Sequence, residues 1–394
     1  MTRSKDRTQL KSRTWARGNK FIALVLIGLF ANFGGPSAFT RRASSAPKSF
    51  LAQPLTLRWR YASSATLNLT PAASNERIYL PLAGGIIVSL SASDGQLYWK
   101  SEIGGEFSAA PAADERALYV ASEITTTADG NQPAKGALRA LGREAGVTTW
   151  MKTLPMPIHG ALAISNTRIF AGASDGGFYS IDKATGNVIW FVQIGSALNC
   201  TPVIAERGVY EGSEEGTIFV GTEDGTLLAL EEGTGKVRWR YRTRGPVRGP
   251  VAVLNDVVYF GSGDGYVYAV SQADGHLRWR TRTGAGVQAV KSVASGLLIA
   301  SFDNFVYLLS FNRGKRLWKR QLPGRISSQP ATADDGALFT PLSGDAGVVL
   351  TLRDGKPVNS LPTGEGSNTA ASPIIVADTV FLTTDQGLLA FSRP

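Results

Sequence analysis

Seven tryptophans, Trp59, Trp99, Trp150, Trp190, Trp239, Trp279 and Trp318, recur at intervals of 40, 51, 40, 49, 40 and 39 residues. A chain that repeats itself at this period stacks one small structural unit many times instead of building unrelated domains. The unit is clearest in VVYFGSGDGYVYAVSQADGHLRW, Val257 to Trp279. It returns in RIFAGASDGGFYSIDKATGNVIW, Arg168 to Trp190, and in TIFVGTEDGTLLALEEGTGKVRW, Thr217 to Trp239. Each reads as strand, tight turn, strand, second turn, and a strand bearing the tryptophan. The first turn holds Asp175-Gly176, Asp224-Gly225 or Asp264-Gly265, pairs that suit a hairpin because glycine accepts positive φ without steric cost. The second turn ends in Gly95, Gly146, Gly186, Gly235, Gly275 or Gly314, and each time a tryptophan follows four residues later. That fixed relation makes the tryptophans packing residues between units in preference to a stacking platform for sugars or bases.

About four short strands per repeat of this length describe one blade of a β-propeller. Asp354-Gly355 continues the series, but the tryptophan slot there is Asn359, a degenerate repeat. The last strands, SPIIV, TVFLTT and GLLAF, run out at Pro394 with no tryptophan-bearing fourth, while LTLRWRY, Leu55 to Tyr61, has a tryptophan and no strands before it. Joining the two removes an exposed sheet edge. The predicted fold is all-β: an eight-bladed propeller of four-stranded antiparallel blades over residues 51–394, its ring closed by the N-terminal strand. Two insertions interrupt the period, around Glu123–Lys135 between the second and third strands of blade 2, and around Glu206–Gly216 before the second strand of blade 4. Strand alternation puts them on opposite faces.

The net charge of +10 is a property of the leader. Residues 1–50 hold ten basic side chains against one acid, whereas the other 344 carry 31 basic and 30 acidic groups. The repeats are therefore nearly neutral, and nucleic acid is not the expected partner. Within the leader, seven basic residues precede the apolar run FIALVLIGLFANF, Phe21 to Phe33, and a small-residue stretch follows. This is the order of an export signal or an uncleaved signal anchor, with a linker to residue 50. No cysteine follows the apolar run, which leaves no lipid attachment point there. The expected location is the periplasm or the membrane-associated cell envelope, with membrane association through the N-terminus.

Catalytic chemistry is thinly supplied. The single cysteine, Cys200, forms no internal disulfide, and His159 and His276 stand in no metal-binding spacing. Asp175, Asp224 and Asp264 are read as turn residues instead of metal ligands. Catalytic, cofactor-binding and metal residues are all predicted as none.

Over residues 55–394 the repeats resemble the PQQ-like β-propeller family, whose blades read approximately VYVGSxDGxLYALDxxTGxxxW. The resemblance implies one of two branches. Quinoprotein dehydrogenases hold PQQ and calcium at the centre of the ring, with adjacent cysteines in the pocket. The other branch is the non-enzymatic B subunit of the bacterial outer-membrane β-barrel assembly machinery, which has eight blades and an export signal. Length and leader look like the second branch, and Cys200 has no neighbouring partner for the first. The expected function is a non-enzymatic, monomeric, protein-binding scaffold of the cell envelope, acting in outer-membrane protein assembly. A PQQ-dependent oxidoreductase and a polysaccharide-binding propeller are the alternatives.

One surface stands out for partner binding. Arg238, Arg240, Arg242 and Arg244 alternate with Trp239, Tyr241 and Thr243, and blade 5 repeats the pattern with Arg278, Arg280 and Arg282 around Trp279. Blade 6 adds Arg316, Lys319 and Arg320. Period-2 alternation puts the arginines on one side of each strand. If these strands are outermost, blades 4 to 6 share a basic flank for an acidic partner or anionic lipid headgroups. The competing reading is that charge protects edge strands from pairing with other chains.

Overall fold

The computed structural model describes residues 50–124, 134–205 and 216–394. The leader and the bulk of both insertions lie outside the described residues. Eight antiparallel sheets follow one another along the chain, and each is a blade. Blade 5 shows the pattern: a short innermost strand, Ala252–Leu254, then Val257–Gly261, Tyr266–Ser271 and an outermost strand, Leu277–Arg282. Val257–Gly261 is buried at every position, while Leu277–Arg282 alternates between exposed and half-buried. Middle strands are mostly apolar and buried because a neighbouring blade covers each face, whereas the rim strand meets solvent. The predicted turns form: Gly176, Gly225 and Gly265 take φ of 82°, 90° and 82°. Tyr266 N donates to Asp264 Oδ1 at 3.1 Å, and Gly177 N to Asp175 Oδ1 at 3.0 Å. Blade 2 departs slightly, its innermost position being split into Glu106–Phe107 and Ala112–Ala113.

Closure occurs as the sequence predicts. Thr56–Ala62 pairs antiparallel with Gly387–Ser392, from Thr56 opposite Ser392 to Ala62 opposite Gly387. Ile374–Val376 and Thr379–Thr384 complete blade 8.

The tryptophans do join the blades, but with a partner that sequence adjacency conceals. Gly95 lies four residues before Trp99, yet the ring stacked on it is Trp59 of blade 8. The same step to the following blade sets Trp99 on Gly146, Trp150 on Gly186, Trp190 on Gly235, Trp239 on Gly275, Trp279 on Gly314 and Trp318 on Gly355. A Cβ at any of these glycines would fall 2.5–2.7 Å from an indole carbon. Each indole Nε1 also donates to a backbone carbonyl of that turn, from 2.7 Å for Trp99 to Arg143 to 3.2 Å for Trp59 to Ala92. Glycine is thus required twice, for its positive φ and for the face it leaves bare.

Asn359 is a working joint in place of a lost tryptophan. In blade 8 the connection from third to outermost strand is replaced by the two chain ends, so no turn glycine exists for an indole to cover. The 3-10 turn Phe50–Ala52 stands there instead, with Phe50 and Leu51 buried against Leu338, Val349 and Leu361. Asn359 Nδ2 donates to the carbonyls of Leu51 at 3.0 Å and Gln53 at 2.7 Å.

Candidate interaction surfaces

The strands carrying the predicted arginines are outermost, since among the described residues Val237–Arg242 pairs only with Thr226–Glu231 and Leu277–Arg282 only with Tyr266–Ser271. Arg240, Arg242, Arg244, Arg278, Arg280 and Arg282 are exposed. Arg242 makes an ion pair with Asp224 at 3.1 Å, and Arg280 lies over the Tyr266 ring at 5.0 Å. Arg278 Nη2 donates to the Asp256 carbonyl at 3.3 Å, and the amide of Arg244 donates to Asp264 at 3.0 Å. Arg238 is withdrawn from the row: its side chain is 17% exposed, its Nε lies 3.9 Å from Glu231, and it bonds Thr217. On blade 6, Lys319 sits 3.5 Å over the Phe305 ring and Arg320 Nε donates to the Gly355 carbonyl at 2.7 Å. The alternation legible in the sequence therefore places most guanidinium groups in solvent. The cross-strand partners that take Arg238 inward left no local signal.

The centre of the ring holds a cavity of about 480 Å³. Small and polar residues that open the innermost strands line it, among them Thr70, Ala110, Ala161, Thr201, Gln329 and Ser372. Among the described residues its lining includes no carboxylate and one charged side chain, Lys291, which donates from Nζ to the Pro330 carbonyl at 3.1 Å. Burial holds the Lys291 ammonium below its ordinary pKa. A calcium ion needs a cluster of oxygen donors, and no group of three or more His, Cys, Asp or Glu is placed to hold a metal among the described residues. Cys200 is buried with its Sγ 3.1 Å from both the amide and the carbonyl of Gly221, and burial pushes its thiol up to about 12. It is an inert packing group. These residues do not fit a quinone and calcium site.

Among the described residues no helix is long and apolar enough to cross a membrane. His276 is exposed beside Asp274, and His159 is half-buried on the innermost strand of blade 3.

Comparison with known proteins places this architecture. An outer membrane protein assembly factor BamB from Yersinia pestis is 21% identical over 193 residues, 45% of this chain and 44% of that protein. A polyvinylalcohol dehydrogenase from Sphingopyxis is 23% identical over 346 residues, 73% of this chain and 50% of that protein. The matches thus span half or less of the length of these relatives, and they include an assembly factor and a dehydrogenase at similar identity. The crystal structure of BamB from Moraxella catarrhalis superposes with a TM-score of 0.68 at 15% identity, over 87% of this chain and 98% of that one. At that identity the superposition shows the fold. A family profile described as outer membrane protein assembly factor BamB matches residues 53–134, 83–205 and 199–393. With eight PQQ-like blades matched from end to end of the ring, the chain belongs to the BamB family of β-propellers.

Proposed function

We propose that this chain is a non-enzymatic, protein-binding scaffold of the cell envelope that acts in outer-membrane protein assembly. The observation that carries the reading is the family match across the whole ring. The rim supports it, because exposed guanidinium groups on adjacent blades create a field that attracts an acidic surface and speeds its approach. So does the central cavity, whose lining among the described residues lacks the carboxylates a calcium site draws on. Export by the leader completes the proposal and brings the ring to its partners.

The test is binding. Purification of the tagged chain from envelope extracts should retain components of the outer-membrane assembly machinery. Changing Arg240, Arg242, Arg280 and Arg282 to glutamine should slow association and flatten its salt dependence, with the fold intact. Unaltered kinetics together with new aggregation would show that these arginines guard the edge instead. The dehydrogenase relative keeps the enzyme reading in view, and a thermal melt decides it: a ligand at 100 times its Kd adds roughly 2.7 kcal/mol. A saturable shift with PQQ and calcium, or dye-linked alcohol oxidation, would overturn the non-enzymatic proposal.

A further inference from the structure

Between blades 1 and 2, and again between blades 3 and 4, the carbonyl that accepts the indole also accepts a guanidinium. Arg77 opens the second strand of blade 1, two residues before Tyr79, and its Nη1 donates to Arg143 O at 3.4 Å beside Trp99 Nε1 at 2.7 Å. Its Nη2 is paired with the Glu144 carboxylate, and the group lies 4.2 Å over the Tyr98 ring. Arg168 opens the second strand of blade 3, two residues before Phe170. Its Nη1 donates to Glu232 O at 2.7 Å and Gly233 O at 3.2 Å, and Trp190 Nε1 donates to the same Glu232 O at 3.0 Å. Blade 4 reaches this place from the outer strand, where Arg238 bonds Thr217, the residue that opens its second strand.

Blade 2 has neither arginine. Ala117 opens its second strand, two residues before Tyr119, and Thr149 stands one residue before Trp150, where blade 4 has Arg238. Trp150 Nε1 still donates to Lys183 O at 3.1 Å, but among the described residues that carbonyl receives no guanidinium. The two short side chains leave a cavity of about 260 Å³ between blades 2 and 3, lined by Ala117, Tyr119, Thr149, Trp150, Asp182 and Lys183. The Lys183 ammonium is held by Asp114 and by the Ser165 carbonyl at 2.9 Å. Asp182 accepts the Ala184 and Thr185 amides on Oδ1, at 3.1 and 2.8 Å, and its Oδ2 has no partner among the described residues. A carbonyl and a carboxylate with spare lone pairs are thus left together, the two kinds of acceptor that Arg77 meets between blades 1 and 2.

We infer that this cavity binds a guanidinium group brought by another molecule, either an arginine side chain of a partner polypeptide or a small alkylguanidine. The neighbouring joints show the chemistry. A carbonyl oxygen has two lone pairs, and at Lys183 the indole takes one. The rigid fork of a guanidinium matches acceptors set side by side, whereas an ammonium is a strongly hydrated point charge. Trp150 and Tyr119 add aromatic surface that favours a flat cation. Arg116 also borders the cavity and opposes the ligand by like charge, but it is exposed, where solvent and salt screen the repulsion. The site takes a cation where the exposed arginines of blades 4 to 6 take an anion, and its test does not depend on the assembly reading.

The probe is N-acetyl-arginine methylamide, titrated against the full chain by calorimetry and saturation-transfer NMR, with N-acetyl-lysine methylamide as the ammonium control. Saturable binding of the arginine probe is expected, about tenfold or more tighter than that of the lysine probe. Ala117→Arg supplies the group from within, as blades 1 and 3 do, and should abolish binding without lowering the melting temperature. If that variant fails to fold, Ala117→Met fills the space without the charge and should abolish binding alike. Arg116→Gln lifts the like charge and should tighten binding. Two further probes identify the source: a short peptide with a central arginine binds tighter than methylguanidinium if the occupant is a polypeptide, and no tighter if it is a small solute. Absence of saturable binding, equal binding of the arginine and lysine probes, or undiminished binding to Ala117→Arg would overturn the inference. So would loss of binding in Arg116→Gln, which would mark the cavity as a site for anions.

Discussion

Between blades 4 and 5 the joint is an indole laid on a glycine, with Trp239 Nε1 donating to the Gln272 carbonyl at 2.8 Å and Gly275 beneath the ring. Between blades 7 and 8 the joint is a primary amide, Asn359, holding two carbonyls of the segment that enters the ring. The difference follows from connectivity. A tryptophan joint needs a turn to present a bare glycine face, and a covalent turn exists only where one chain runs from third to outermost strand. At the seam the chain ends take its place, so a polar side chain that reaches backbone carbonyls is what remains. Seven joints stabilise mainly through buried apolar area. The eighth works through hydrogen bonds, which contribute less net free energy each.

The largest expected effect breaks the seam itself. Deleting Leu55–Tyr61 removes the outer strand of blade 8, the Trp59 joint to blade 1 and the cover over Phe381, whose ring lies 5.6 Å from that of Trp59. Against a total stability of about 5–15 kcal/mol for an ordinary fold, loss of cooperative unfolding is the expected outcome, read by thermal melts and size-exclusion elution. An unchanged melt with monomeric elution would show that the ring holds without its closure. Next in size is Trp239→Ala. Trp239 is 8% exposed, and emptying such a site costs about 3–5 kcal/mol. If chemical denaturation showed stability held while partner binding vanished, Trp239 would be a recognition residue and the account of the joints would be wrong.

The two kinds of joint were not equally legible in the sequence. The period and the Asp-Gly turns announce blades because glycine at positive φ is a local requirement, satisfied within a few residues. Ring closure was legible for a similar reason, with three strands at one end and one at the other. The pairing of each tryptophan with the following blade was not, since Gly275 stands beside Trp279 in sequence and touches Trp239 in space. Asn359 looked like decay of the repeat. The signal that could have rescued it is topological: the last blade has no third-to-outer turn, hence no glycine for an indole. Among the rim residues, alternation predicted the exposed arginines. Arg238 escaped because its partners Glu231 and Thr217 come from neighbouring strands.

Asn359→Ala sharpens the comparison from the weaker side. It removes both donated hydrogen bonds to Leu51 and Gln53 and should cost about 1–3 kcal/mol, two hydrogen bonds at about 0.5–1.5 kcal/mol net each. The loss should be smaller than for Trp239→Ala in parallel urea titrations. Asn359→Trp should not restore it, because no bare glycine face awaits the indole. A cost equal to that of Trp239→Ala would mean that the amide joint is not the weaker one.

The smallest expected effect separates the joints by pH. Tryptophan and asparagine joints contain no group that titrates in acid, but a third tie does. Glu223 of blade 4 is gripped by Arg248, which leads into blade 5, at 2.8 and 2.7 Å, and by Asn199 Nδ2 at 3.0 Å. The hydrogen bonds from Arg248 hold the Glu223 carboxyl below its ordinary pKa, against the opposing pull of burial. A lowered pKa in the folded chain gives stability that is fully present above the unfolded glutamate value of about 4.3. It fades as pH falls through the lower, folded value. With the Arg248 side chain 53% exposed, the contribution is small, about 0.5 kcal/mol or less. Melting temperatures measured from neutral pH into acid should therefore converge for the unmodified chain and Glu223→Gln as pH drops below about 4, whereas the Trp239→Ala deficit should persist across the range. A Glu223→Gln deficit that persisted undiminished in acid would mean that the carboxylate charge contributes nothing to this tie.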